Sequence, residues 1–325
     1  MIIVTGGAGF IGSALIAGLN KRQITDILVV DRLGTNQKWK NLRSLSFADY
    51  VEKDDFLEMV IEGKLDSPVE AVFHLGACSD TTETNASYLV KNNYEYTKLL
   101  AQWATDADIR FIYASSAATY GDGSAGFSDD EETIETLSPL NMYGYSKQLF
   151  DLWARRTGLL QKIVGLKYFN VFGPNEYHKE DMRSFVVKAF EQINAGGKVR
   201  LFKSYQSEYA DGEQVRDFIY IKDAVDMTLF FLDNPHLSGL FNVGTGEART
   251  WNDLVIAVFV GMGSKPNIEY VDMPDSIRSQ YQYFTRAETA KLRNSGYDKP
   301  ITPLEDAIKD YVQNYLRKST YLSGI

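Results

Sequence analysis

Met1-Ile-Ile-Val-Thr5 runs directly into Gly6-Gly-Ala-Gly-Phe-Ile-Gly12, and the reading of these twelve residues decides the fold. The first five are apolar and largely β-branched, which suits a buried strand. Ser13 to Leu19 then has helical character. A glycine turn between a strand and a helix is the context in which glycine spacing signals dinucleotide binding. Glycine lets the backbone bend tightly and approach a pyrophosphate with no Cβ in the way. The helix N-terminus adds unpaired N–H groups and partial positive charge for the phosphates. An ordinary strand-to-helix turn also uses glycine, so the motifs downstream have to agree. The spacing here, Gly6, Gly9 and Gly12, is G-x-x-G-x-x-G rather than the commoner G-x-G-x-x-G.

Composition narrows the function classes. A chain of 325 residues can hold two domains, or one large α/β domain with an appendage. The net charge of −9 argues against nucleic acid or an anionic membrane as partner, and makes the Lys and Arg that would hold a negative ligand informative. The single cysteine, Cys78, excludes an intramolecular disulfide and a multi-cysteine zinc site, which fits a reducing compartment. With three histidines (His74, His178, His236), no metal site is expected. No signal-like segment precedes the first strand and no apolar run approaches the ~20 residues of a membrane span, so a cytoplasmic protein is expected.

Asp26 to Val30 reads as the second strand, followed by Asp31 and Arg32. An acid at this point, about 20 residues past the glycines, takes the ribose hydroxyls of a dinucleotide. Arg32, with Lys38 and Lys53 further on, points instead to a 2′-phosphate, so the set leans to NADP with NAD possible. Ala71 to Ala77 is a buried strand ending in small residues, which makes Gly76 and Ala77 candidate cofactor walls; His74 reads as a packed core histidine. Asn85 to Thr105 is a long helix interrupted by Asn92 and Asn93, both poor helix formers.

Phe111 to Gly121 is a strand with a serine-rich exit, and a polar loop over 122–138 leads to Tyr143-Gly-Tyr-Ser-Lys147 on a further helix. Tyr143 and Lys147 are four apart and share a helix face. A lysine near a phenol favours the phenolate, a proton acceptor suited to oxidising an alcohol. Ser116 is the partner expected for the same substrate oxygen. Tyr145 is a rival phenol, but four residues on stands Leu149. Lys162 to Tyr168 is the next strand, and Phe169 to Pro174 leaves the sheet with Asn170 at the mouth of the site. Val199 to Phe202 reads as a short strand and Arg216 as a diphosphate fork. Helices are expected at Thr250 to Val260, Thr285 to Leu292 and Pro303 to Leu316.

Together G-G-A-G-F-I-G, A-S-S-A-A-T-Y-G, Y-G-Y-S-K, K-Y-F-N-V-F-G-P, R-D-F-I-Y-I and F-N-V-G-T-G resemble the extended short-chain dehydrogenases acting on nucleotide sugars. Ala77-Cys-Ser-Asp-Thr-Thr-Glu83, His178-Lys179, Tyr281 to Thr285 and Gly296 to Pro300 resemble, more narrowly, the ADP-L-glycero-D-manno-heptose 6-epimerase family. The resemblance implies an α/β fold, a doubly wound parallel sheet over 1–170 and 217–245 that binds NADP. A smaller α/β substrate domain over 171–216 and 246–325 is implied with it. It implies inversion at C6 of ADP-D-glycero-D-manno-heptose through a 6-keto intermediate, for lipopolysaccharide core synthesis, by a homo-oligomer. Tyr143 and Lys179 become two acid/base groups, assisted by Ser116 and Lys147. Gly6, Gly9, Phe10, Ile11, Gly12, Asp31, Arg32, Lys38, Lys53, Leu75, Gly76, Ala77, Cys78, Ser79, Asn92, Lys147 and Val171 surround the cofactor. Ser116, Asn170, Asp181, Lys188, Phe202, Arg216 and Tyr281 face the sugar nucleotide.

The chain departs from that pattern. Leu75 stands where the family has glutamate, Glu180-Asp181 where it has Gly-Ser, and Lys188 where histidine is frequent, and the segment from Phe202 to Arg216 is longer. The alternatives are a UDP-hexose 4-epimerase or a dehydratase, or a non-catalytic NADP-binding sensor. The Asp-Glu pair of a dehydratase is absent at Ala117-Ala118 and Ala118-Thr119. A binder has no use for an intact Ser116, Tyr143 and Lys147.

Overall fold

The computed structural model describes residues 1–65, 67–278 and 281–324. Six parallel strands come first: β1 (Ile2–Thr5), β2 (Ile27–Asp31), β3 (Asp49–Glu52), β4 (Ala71–His74), β5 (Arg110–Ser116) and β6 (Val164–Tyr168). Short strands β7 (Asn170–Phe172), β8 (Val199–Phe202), β9 (Val215–Arg216) and β10 (Phe218–Tyr220) precede the seventh sheet strand, β11 (Gly239–Val243). The sheet order is β11-β6-β5-β4-β1-β2-β3, so the order of strand addition reverses between β1 and β4. At such a switch point the loops after adjacent strands diverge and leave a crevice at the carboxyl ends. Outside the sheet, β7 pairs with β10, β12 (Arg249–Thr250) with β9, and β13 (Ile268–Val271) with β8.

Both faces of the sheet are covered, which is why its strands are continuously apolar rather than alternating. Ile2 and Val4 of β1 join one apolar cluster with helices α1 (Phe10–Lys21) and Ile221–Asp233. Ile3 points the other way, into a cluster with Phe56, Leu100, Phe111 and Phe150. Among the described residues no helix is long and apolar enough to cross a membrane.

Element boundaries differ from the sequence reading in places that have physical causes. Asp31 belongs to β2, because the strand is Ile27–Asp31. The helix from Asn85 is broken into Ala86–Leu89, a π segment Val90–Glu95 and Tyr96–Asp106, the break falling on the two asparagines. The helix expected over Thr285 to Leu292 forms only as Ala290–Asn294. Upstream the chain is extended because Tyr283 and Thr285 hydrogen-bond to Val215 and Ala287 donates to Asp217, which takes those amides out of helical pairing.

One buried ion pair ties the centre of the sheet to α5 (Met142–Arg156), a label that follows α2 (Lys53–Ile61), α3 (Ala86–Leu89) and α4 (Tyr96–Asp106). Lys167 of β6 and Asp151 of α5 are both within 1% of full burial and 3.0 Å apart. Tyr113 and Ser115 of β5 donate to the same carboxylate, and Thr119 accepts from the ammonium. Removing one partner strands the other charge in apolar surroundings, a loss of about 3–5 kcal/mol. Chemical denaturation of Lys167→Met should show that loss, and adding Asp151→Asn should recover part of it.

Candidate active site

The cleft begins where the glycine turn meets the chain leaving β4. Gly6 has φ +67°, and a Cβ on it would lie 2.6 Å from the Gly76 nitrogen; a Cβ on Gly12 would strike the Gly6 carbonyl. Leu75 N–H donates to the Thr5 carbonyl and Gly76 N–H to Thr5 Oγ1, so the two turns are fastened together. Gly9 caps α1 with no side-chain acceptor, leaving N-terminal amides free to meet an anion. A cavity of about 820 Å³ lies over this junction.

Most of the expected cofactor residues line that cavity: Gly6, Gly9, Phe10, Ile11, Gly12, Asp31, Lys38, Leu75 to Ser79, Lys147 and Val171. Arg32, Lys53 and Asn92 instead line a recess of about 190 Å³ that shares Gly6, Asp31, Lys38 and Gly76 with it. Asp31 Oδ2 accepts the Ala8 N–H at 2.9 Å while Oδ1 binds Lys38 Nζ at 2.6 Å. Lys53 Nζ donates to Asn92 Oδ1 at 2.6 Å. The neighbouring Asn93, assigned no site role in the sequence reading, is fully buried and clamps the β4 exit by donating to the Cys78 carbonyl and accepting its N–H. Its signal was the paired asparagines inside an apolar helix.

Ser116, Tyr143 and Lys147 come together at the far end of the cavity. Asn141 caps α5 by accepting the Gly144 N–H, which sets the first helical turn carrying Tyr143. Tyr145 is half exposed and faces away from the cavity lining. The expected lowering of the phenol by Lys147 is not what the geometry gives. Burial pushes the Tyr143 phenol up, a hydrogen bond with Ser116 opposing it. Lys147 Nζ is committed to the Ala114 carbonyl at 2.8 Å, and burial draws it down to about 8 against the pull of Asp151.

Lys179 reaches the cavity from the turn Tyr177–Met182, its Nζ 5.8 Å from the Phe10 ring centre. Burial lowers its proton affinity, and the Glu176 carboxylate opposes that shift. Next to it Glu180 has φ 48° and ψ −120°, a backbone region that belongs to glycine. The family pattern's Gly at this place is thereby explained. Asn170 and Lys188 also line the cavity, Lys188 donating to the Asp181 carbonyl at 2.7 Å.

Asp181, Phe202, Arg216 and Tyr281 do not line it. The Asp181 contribution is a backbone carbonyl, and Phe202 sits in β8 against Val271. Arg216 is buried, its guanidinium donating to the Val215 and Gln282 carbonyls and lying 5.2 Å from the Tyr281 ring centre and 5.7 Å from that of Trp251. In this conformation it is a packing residue behind the wall. The wall itself is Phe185, Phe218, Trp251 and Leu254, with Arg183, which the sequence reading missed because nothing in their spacing distinguishes them from core.

A glycine-turn cleft that ends on serine, tyrosine and lysine defines an enzyme of the short-chain dehydrogenase/reductase type. A family model described as the NAD dependent epimerase/dehydratase family matches residues 2–244. An ADP-L-glycero-D-manno-heptose-6-epimerase of Nitratidesulfovibrio vulgaris is 57% identical over 97% of this chain and 98% of its own length. The one from Fusobacterium nucleatum is 47% identical over 98% of each. The crystal structure of the Helicobacter pylori ADP-L-glycero-D-manno-heptose-6-epimerase superposes with a TM-score of 0.81 at 30% identity, covering 96% of this chain and 95% of that one. The Thermus thermophilus UDP-glucose 4-epimerase in complex with NAD shares the fold, with a TM-score of 0.76 at 24% identity, 98% of this chain and 99% of that one being covered. The chain therefore belongs to the NAD dependent epimerase/dehydratase family and, within it, to the ADP-L-glycero-D-manno-heptose-6-epimerase group.

A nicotinamide dinucleotide fits the residues present, because the uncapped first turn of α1 lines the cavity together with Gly6, Gly9 and the small residues Gly76 to Ser79. The Lys147 amine has a testable consequence. A lysine drawn down to about 8 is charged below that pH and loses its proton as pH rises through it. The profile of kcat/KM should therefore show a descending limb near pH 8, and Lys147→Arg should displace that limb upward.

Proposed function

We propose that the protein inverts C6 of ADP-D-glycero-D-manno-heptose to give the L-glycero epimer, using resident NADP and two acid/base groups, Tyr143 and Lys179. The observation that carries this reading is that both groups line one cavity from separate elements, α5 and the Tyr177–Met182 turn. The chemistry a bound dinucleotide would supply is reversible hydride transfer at the substrate carbon, with no net oxidation. Inversion through a ketone requires the sugar to present its carbon in two orientations, so its oxygen meets two different proton-transfer groups.

Tyr143 is placed to remove or return the hydroxyl proton, with Ser116 hydrogen-bonded to the phenol. The Tyr143 phenol, raised by burial, would be favoured as phenolate by positive charge that an oxidised nicotinamide would supply when bound. Lys179, its proton affinity reduced by burial, can give and take a proton nearer neutrality than a solvated lysine. Lys188 supplies positive charge for the diphosphate, with Arg183, held by Glu191, beside it, and Phe185, Phe218 and Trp251, packed edge to face, form an apolar wall for a base. Substrate thus falls to Ser116, Tyr143 and Phe218 and to residues of 171–216 and 246–325, and cofactor mainly to 1–170.

NADP rather than NAD is supported by the cations around Asp31. Arg32, Lys38 and Lys53 share one recess, and a 2′-phosphate placed there meets Lys and Arg, with Asp31 already paired to Lys38. Arg32→Ala should move the ratio of NADP to NAD dissociation constants towards NAD by about tenfold, the worth of one charge-assisted pair. An unchanged ratio removes Arg32 from phosphate recognition.

The reaction is tested by incubating purified protein, without added cofactor, with ADP-D-glycero-D-manno-heptose and following the C6 signals by NMR. Conversion to the L-glycero epimer is expected, and no conversion even with NADP supplied overturns the assignment. Tyr143→Phe and Lys179→Met should each lower kcat by about 10²–10⁴-fold, the usual worth of a positioned acid or base.

A further inference from the structure

The 3₁₀ turn Gln37–Leu42 carries two side chains with separate tasks. Lys38 pairs with Asp31 on the cofactor side. Asn41, only 1% exposed, donates its amide to the carbonyls of Ala8 at 2.9 Å and Asn175 at 3.0 Å and stands 3.3 Å from His178 Nδ1. The Ala8 peptide is therefore gripped at both ends, since Asp31 accepts its N–H. Asn175 is itself fully buried with φ +81°; its amide donates to Ser13 Oγ of α1 and its oxygen accepts the Leu322 N–H, each at 2.9 Å. These bonds join the glycine turn, α1 and the segment that leads into Lys179.

We propose that Asn41 is a positioning residue for the acid/base step, its amide holding the Lys179 turn in register with the cofactor turn. The inference rests on the reading of Lys179 given above. Both amide protons of Asn41 are committed to the Ala8 and Asn175 carbonyls, so the Lys179 turn is reached through Asn175 at the head of its segment. The turn needs such holding, because the Glu180 backbone lies where a residue with a Cβ persists only if its surroundings over-determine it. A displacement of about 1 Å at a reacting group can lower a rate about 10²-fold. Among the described residues, no other side chain connects the Ala8 carbonyl to the 175–178 segment in one step.

The test is a double-mutant cycle of Asn41→Ala and Lys179→Met on the holoenzyme, with kcat and KM for ADP-D-glycero-D-manno-heptose and nicotinamide absorbance after gel filtration. Asn41→Ala should lower kcat by about 10–100-fold with KM within threefold and nicotinamide retained, and in the Lys179→Met background it should lower kcat by less than twofold. An equal loss in both backgrounds, or no loss in the wild-type background, overturns the inference while leaving Lys179 its role. A Lys179→Met enzyme as active as wild type overturns the Lys179 reading and this one with it. If Asn41→Ala does not fold, Asn41→Ser, which keeps a donor of shorter reach, decides the same cycle.

Discussion

The approach of two backbones, the β1 turn at Gly6 and the β4 exit at Gly76, is the constraint on which the site depends. A Cβ at Gly6 would come within 2.6 Å of the neighbouring chain, so the two turns can touch only because neither carries a side chain there. That contact brings the uncapped amides of α1 beside the segment from Leu75 to Ser79. Asn93 then holds the second turn from behind, inside a π segment that rotates it towards Cys78. Single π turns of this kind commonly appear where a helix serves a site. The sheet order supplies the crevice, and the glycines let its two walls meet.

Electrostatics explain how an acidic chain prepares a cleft for anions. Lys147 and Lys188 donate to backbone carbonyls, which stabilise an ammonium without neutralising it. Lys38, paired to Asp31, and Arg183, paired to Glu191, are instead held by carboxylates. Deeper in the protein, Asp151 satisfies Lys167 and also acts on Lys147, one helical turn away on the same face of α5. The buried pair thus helps keep a desolvated amine charged near neutrality.

The fold and the cofactor floor were legible in the sequence because they are local. Gly6 to Gly12, Asp31 and Tyr143 with Lys147 each sit within a single turn or helix face, where spacing maps onto geometry. What was not legible depends on distant segments meeting. The phenol of Tyr143 is raised by burial, and Lys147 turns to a carbonyl of β5, neither of which a four-residue spacing reports. Arg216 read as a phosphate fork from its neighbours in sequence, yet Val215, Gln282, Tyr281 and Trp251 enclose it. The aromatic wall of Phe185, Phe218 and Trp251 is drawn from three elements and has no linear pattern.

Glu180 carries an implication for how this loop can vary. Holding a residue with a Cβ in that backbone region costs on the order of 1–3 kcal/mol. Glycine at the same place would relieve the folded loop but would also widen the conformations open to the unfolded chain, so the two effects partly cancel. The relief is the larger of the two, since the unfolded-chain cost is only about 0.4–1 kcal/mol, so glycine would stabilise the molecule by up to about 2 kcal/mol while loosening the loop beside Lys179. Drift between glutamate and glycine would therefore set overall stability against how tightly a proton-transfer group is held.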